Sequence, residues 1–108
     1  MEIERRKYKM ISDPEIARYT MPAWFVDRMM TDDWCFALLT TSGHTIYISR
    51  INAISENGDW IDVSLLHEIP DEAEKFDNKN IVLAVNGNRT NASISMYQII
   101  AAYEVATT

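Results

Sequence analysis

The sequence predicts an α+β domain that is mostly β, a small bent antiparallel sheet or barrel of five or six strands with one or two short N-terminal helices. From residue 34 onward, short runs of apolar and β-branched residues recur between polar turns. The three glycines, at positions 43, 58 and 87, each stand alone in such a turn. A length of 108 residues fits one domain spanning 1–108.

The N-terminal segment, residues 1–33, is expected to pack on the sheet. Residues 2–11 are compatible with a first strand, although a basic cluster weakens its alternation. Ser12 and Glu15 have the spacing of a capping box and predict a short helix. Residues 21–30 carry Met, Trp and Phe at helical spacing, which predicts an amphipathic helix lying on the sheet.

Residues 34–106 predict a β-meander. Asn57-Gly58 is a strong hairpin signal, for which a positive φ is expected at both residues. Asn86-Gly87 predicts a second hairpin, and residues 95–98 a short corner. The predicted strands are 34–41, 45–48 with a continuation through residue 54 after a bend, 59–66, 81–85, 89–94 and 99–105.

The strand at 59–66 alternates clearly. Ile61, Val63 and Leu65 share one face, which is expected to be the core face. Trp60 therefore points outward, together with Asp62. In strand number and turn spacing the chain resembles SH3-like and Sm-like barrels, a resemblance that implies no activity because such barrels serve many functions.

Composition predicts a cytoplasmic protein. The charged N-terminus has no apolar core of a signal peptide, and no apolar stretch is long enough to span a membrane. The single cysteine, Cys35, lies in an apolar run and is expected to be a small buried hydrophobe.

Motifs for catalysis, metals and cofactors are missing from the sequence. The histidines His44 and His67 lie apart, with none of the spacings used by zinc sites. There is no nucleophile elbow and no glycine-rich phosphate loop. The chain is therefore predicted to be non-enzymatic, without cofactor or metal.

Net charge is −6 at pH 7, and nearly all of it lies in one segment. Between positions 56 and 77 there are eight acids and one base, whereas the rest of the chain has eight acids and nine bases. Such a surface repels nucleic acid despite the small basic patch at Arg5–Lys9, and it favours a protein partner with a basic surface. The predicted partner-binding residues are Glu56, Asp59, Trp60, Asp62, Glu68, Asp71, Glu72, Glu74 and Asp77.

The leading functional hypothesis is a protein–protein interaction module, an inhibitor or adaptor whose composition is analogous to phage or plasmid proteins that mimic nucleic acid. If the acidic run is only solvated, it serves solubility. A second hypothesis is a small-ligand or nucleotide-binding barrel, because aromatics lie near strand ends. A third is assembly into homo-oligomers by pairing of strand 81–85 or 99–105. The aromatics in question are Trp34, Tyr47, Trp60, Tyr97 and Tyr103.

Overall fold

A computed structural model describes residues 9–23, 25–68 and 80–105 of the chain. The described residues form a mostly β fold with short helices near the N-terminus, which confirms the predicted α+β class. The strands are β1 (Met10–Ile11), β2 (Phe36–Thr40), β3 (Thr45–Ser55), β4 (Trp60–Leu65), β5 (Ile81–Val82), β6 (Asn91–Ser95) and β7 (Ile99–Glu104). The helical elements are α1 (Pro14–Ala17), a π-helical segment (Phe25–Met29) and a 3-10 turn (Met96–Gln98).

The eleven-residue strand β3 is the centre of the sheet. The strands follow the order β6-β4-β3-β2-β7, and both β1 and β5 also pair with β3. Its ladder with β4 shifts register twice, once between Ile48 and Arg50 and once between Ile51 and Ala53. This long, bent strand confirms the predicted continuation of the second strand.

The two register shifts explain which side chains of β3 are buried. Ile48, Ile51 and Ile54 are all fully buried in the main core, although they are three residues apart. A regular strand would turn such residues to alternate faces, because its side chains repeat every two residues. Each bulge adds one residue and returns the next isoleucine to the same side. Three consecutive isoleucines of this spacing therefore line one concave face.

The bend brings the two ends of the sheet together. β6 and β7 lie at opposite ends of the strand order, yet only the three residues Met96–Gln98 separate them. Such a turn spans only about 10 Å. The Met96 N–H donates to the Asp59 carbonyl and the Thr41 N–H to the Gln98 carbonyl, both at 2.8 Å. Within the described ranges no ladder joins β6 to β7, so a bent sheet is confirmed and barrel closure is not.

The N-terminal segment covers the concave face. Ala17 from α1 and Val26 and Met29 from the π-helical segment are completely buried in the main core cluster, beside Ile61 and Val63 of β4. This is the packing that the apolar stripe at 21–30 predicts. No helix in the described part of the chain has the length and apolarity needed to cross a bilayer.

A second, smaller cluster lies on the other face of β2. Cys35 and Ala37 alternate along the chain with core residues, so they face away from the main core. They pack with Tyr47 and Val105. Burial raises the pKa of the Tyr47 phenol, and neighbouring Tyr103 adds to the effect. Cys35 is a buried free thiol, as its apolar surroundings predict.

The predicted strand 81–85 and its hairpin are wrong. Only Ile81–Val82 is a strand, and it runs parallel to the start of β3. Beyond it Val85 is 90% exposed, and Asn86 accepts a bond from the Asn88 N–H at 2.8 Å in a local turn. β6 pairs with β4 instead of β5. The two residues of β5 pair with the start of β3, on the edge that β4 leaves free. A strand of only two residues is too short to form a hairpin with β6.

The start of α1 is also shifted from the prediction. Asp13, not Ser12, is the N-cap, and its Oδ1 accepts a bond from the Glu15 N–H at 2.9 Å. Pro14 follows at the first helical position, where it lacks the N–H that a helix start leaves unpaired. Since proline occupies that position, the cap has to be the residue before it.

We expect Gly58→Ala to lower the free energy of unfolding more than Gly43→Ala. Both glycines have positive φ, at 78° and 85°, which costs an L-residue about 1–2 kcal/mol. Only at Gly58 would a Cβ meet a neighbour, 3.3 Å from the Thr20 carbonyl oxygen, whereas at Gly43 it meets nothing within 4 Å. Urea unfolding of both variants measures the difference. Equal losses would contradict a close contact between this turn and the end of α1.

Candidate functional site

The β3–β4 turn is organised by a buried serine. Ser55 is completely buried, and its hydroxyl donates to Asn57 Oδ1 at 2.8 Å and accepts from the Trp60 N–H at 2.9 Å. Asn57 Oδ1 also accepts from the Asp59 N–H at 3.2 Å. The predicted hairpin is confirmed by the antiparallel β3–β4 ladder, but of its two central residues only Gly58 has a positive φ, so the expected positive φ at Asn57 is wrong. Asn57 instead stabilises this turn through the hydrogen bonds that its side-chain oxygen accepts.

The outer faces of β4 and β6 carry polar side chains around one tryptophan. Ile61 and Val63 of β4 are buried, so the residues between them point to the opposite side. Trp60 is half-buried there. The register pairs on this side are Trp60 with Ser95, Asp62 with Ser93 and Ser64 with Asn91.

Asp59 links this surface to the 3-10 turn. Its Oδ1 accepts a hydrogen bond from the Tyr97 hydroxyl at 3.2 Å, and its Oδ2 accepts one from the Asn57 amide at 2.9 Å. Tyr97 is 75% exposed. Further along β4, Asp62 Oδ1 accepts a hydrogen bond from the Ser93 hydroxyl at 2.6 Å. We call the surface formed by Asp59, Trp60, Asp62, Ser93, Ser95 and Tyr97 the Trp60 face.

Three of the four arginines in the described ranges, Arg18, Arg28 and Arg50, have other acids as partners. Among these residues Glu56 and Asp59 form no ion pair, and the bonds to Asp59 come from neutral donors. Among the described residues, therefore, no ion pair offsets the charge of Asp59 beside Trp60. The arginine pairs are Arg18 with Glu15 and Asp27, Arg28 with Asp32 and Glu104, and Arg50 with Asp33.

The predicted site residues are only partly brought together. Glu56, Asp59, Trp60 and Asp62 lie along the β3–β4 turn and the first half of β4. Glu68 is exposed and lies beyond the far end of β4, a strand about 20 Å long. Its Oε1 lies 3.8 Å from His67 Nε2. It does not belong to the Trp60 face. The remaining predicted residues, Asp71, Glu72, Glu74 and Asp77, lie outside the described residues.

An open groove of about 480 Å³ lies beside Trp60. Ser93, Ser95, His44 and Gln98 are among the residues that line it. Of the five aromatics considered for a ligand pocket, only Trp60 lines this groove. Of the other four, Tyr47 and Tyr103 are neighbours on either side of Ala37, at the second cluster. Trp34 and Tyr97 are exposed.

The hydroxyl and imidazole groups near this groove stabilise a turn. Ser42 Oγ lies 2.8 Å from His44 Nδ1 and 3.0 Å from Thr40 Oγ1. The Thr40 hydroxyl in turn bonds the His44 backbone, closing the loop that joins β2 to β3. Across the described ranges, no three His, Cys, Asp or Glu side chains converge as a metal site would require.

Sequence reasoning missed three members of the Trp60 face, Ser93, Ser95 and Tyr97, of which Tyr97 is the aromatic one. It lies 38 positions from Asp59 along the chain, and only the corner between β6 and β7 brings the two together. The predicted corner at 95–98 was the only signal. It did not show which strand end the corner would meet.

Comparison with protein-family models gave no match, and comparisons with curated proteins and with solved structures gave none either. Function is therefore inferred from the residues of the Trp60 face.

We expect Ser55→Ala to lower the free energy of unfolding by about 1–3 kcal/mol, because it removes a fully buried hydroxyl and leaves the partly buried Trp60 N–H without its partner. Ser12→Ala, at an exposed position, is the matched control and should change it by less than about 0.5 kcal/mol. Urea unfolding followed by tryptophan fluorescence gives both values. If the two variants lose the same amount, Ser55 does not hold the turn.

Proposed function

We propose that this protein is a non-enzymatic protein–protein interaction module, an inhibitor or adaptor that docks a basic partner surface through the Trp60 face. The observation that carries the proposal is the contrast in charge pairing. Within the described parts of the chain, arginines pair with acids on α1, the π-helical segment and β7, whereas Asp59, beside Trp60, has only neutral donors.

The chemistry of the face suits a binding hot spot. Tryptophan and tyrosine are the aromatic residues most enriched among side chains that dominate binding energy. Trp60 is half-buried and Tyr97 is exposed, so both offer apolar area to a partner. Carboxylates at the rim attract a basic surface over long range and raise the association rate. The net charge of −6 acts in the same direction.

The hydrogen bonds within the face reduce the cost of binding. Asp59 is held by Tyr97 and Asn57, and Asp62 by Ser93, so these carboxylates are already ordered. A group ordered before association loses little rotamer entropy when the partner arrives. Because the donors to Asp59 in the described ranges are neutral, ordering Asp59 does not cancel the charge that a basic partner would meet.

The proposal extends to the setting of the module. We place it in the cytoplasm, with which the buried free thiol of Cys35 is consistent. The bent sheet is proposed to belong to the SH3-like or Sm-like barrel class, supported by the 3-10 turn that joins its two end strands. A partner that itself binds nucleic acid is the chemically closest fit, since its basic surface is built to meet negative charge.

We expect a short, labelled peptide rich in lysine and arginine to bind the protein at low salt and to weaken as salt rises. Replacing Asp59 and Asp62 together, by Asp59→Asn and Asp62→Asn, should raise the dissociation constant about tenfold. Asparagine has nearly the same shape and keeps one oxygen to accept the bond from Tyr97 or Ser93, although at Asp59 the bond from the Asn57 amide is lost with the second oxygen. Fluorescence anisotropy measures the affinities.

The matched control is Glu15→Gln with Asp33→Asn, which changes the net charge equally on exposed residues away from the Trp60 face. It should change affinity less than twofold, a difference below about 0.4 kcal/mol. Trp60→Ala should weaken binding without changing its salt dependence. Equal losses in the two charge variants would mean that net charge alone attracts the peptide, and the acidic run would then serve solubility.

A further inference from the structure

The groove beside Trp60 has an uncharged lining. Among the residues that line it in the described part of the chain there is no lysine, arginine, aspartate or glutamate. Its volume of about 480 Å³ lies within the range of about 300–1,000 Å³ that is usual for ligand sites. The lining combines aliphatic side chains with oxygen acceptors, which suits a ligand with an apolar stem and a polar head. The aliphatic residues are Ile46, Val82 and Ile94, and the acceptors include Ser93, Ser95 and Gln98.

Two carboxylates lie next to this uncharged groove. The hydroxyl of Ser93, which lines the groove, donates to Asp62 Oδ1 at 2.6 Å, so Asp62 is one hydrogen bond away from the lining. Asp59 immediately precedes Trp60, and Trp60 lies opposite Ser95 in the ladder of β4 with β6. The donors to Asp59 in the described ranges are neutral. Asp59 therefore makes the potential beside the groove negative, which favours a ligand whose polar head is a cation.

Of the two strongly basic side chains, arginine fits this groove better than lysine. A guanidinium carries five N–H donors in one plane, whereas an ammonium carries three around a single nitrogen. The ammonium is also the more strongly hydrated group, so it loses more when neutral oxygens replace its water. The lining of the groove offers such neutral oxygens, from hydroxyl and amide groups. A guanidinium can therefore enter the groove at a lower desolvation cost than an ammonium.

Trp60 adds a second reason to prefer arginine. It is half-buried and lines the groove. A planar guanidinium stacks on an aromatic ring, and tryptophan is the most favourable ring for a cation. The methylene stem of an arginine packs on apolar side chains while its charged head contacts polar groups. Ile46 and Ile94 line the same groove and offer apolar surface to that stem.

We propose that the groove beside Trp60 binds one arginine side chain of the basic partner, with the guanidinium stacked on the Trp60 indole and its charge balanced by Asp59 and Asp62. This inference rests on the proposed function and adds the residue type that the Trp60 face selects. A partner that presents arginine is bound more tightly than one that presents the same charge on lysine. General attraction to net charge does not distinguish the two, so the preference reports a specific subsite.

The test compares two labelled peptides of equal length and charge, one with arginine and one with lysine at every basic position. Fluorescence anisotropy at low salt should give the arginine peptide a dissociation constant about fivefold lower for the wild-type protein. Trp60→Leu keeps an apolar side chain but removes the ring, so the preference should fall below about twofold. Circular dichroism checks that this variant folds.

Trp34→Leu is the matched control, because Trp34 is 45% exposed and does not line the groove. It should keep the full preference for arginine. If Trp60→Leu does not fold, nuclear magnetic resonance of the wild-type protein decides. N-acetyl-arginine amide should then shift the Trp60 indole and the Gln98 side-chain amide more than N-acetyl-lysine amide does.

Equal affinities of the wild-type protein for the two peptides would overturn the arginine subsite. So would a preference that survives Trp60→Leu, one that is lost in Trp34→Leu, or equal shifts with the two amides. In these cases the proposed function still stands if Asp59→Asn with Asp62→Asn weakens the binding of both peptides. A wild-type protein that binds neither peptide would overturn both claims, so the two failures are distinguishable.

Discussion

The pairing of β3 with four other strands is the interaction on which the rest of the fold depends. Its eleven residues hydrogen-bond to β1, β2, β4 and β5, and two bulges bend it. The bulges keep Ile48, Ile51 and Ile54 on one side, which gives the sheet a concave face that α1 and the π-helical segment cover. Without them the middle isoleucine would face outward, and the core would lose a fully buried side chain worth about 2–5 kcal/mol.

The pairing of β6 with β4 assembles the candidate site. Trp60 lies opposite Ser95 in this ladder, and the next contact is the bond from the Met96 N–H to the Asp59 carbonyl. That contact brings Tyr97 to the Asp59 carboxylate. A face of aromatics and carboxylates thus follows from the register of these two strands.

Local sequence patterns predicted the structural features that depend on residues close together in the chain. The alternation at 59–66 predicted the buried face of β4, and the apolar stripe at 21–30 predicted the packing of the N-terminal segment. Sequence patterns did not identify contacts between residues that are distant along the chain. The apolar run at 81–85 has the composition of a strand, but only two residues find an edge to pair with, and β6 pairs elsewhere. Tyr97 joins Asp59 only through that pairing, so no local signal marked it.

The claim that the Trp60 face is the docking surface is tested most directly by nuclear magnetic resonance. Amide and indole shifts of the labelled protein would be followed as a basic peptide is added at low salt. The account predicts that the largest changes fall on the Trp60 indole, on Asp59 and Asp62, and on residues 93–97, while residues 99–104 stay unchanged. Small changes spread evenly over all exposed acids would contradict it, because they would show attraction to net charge without a site.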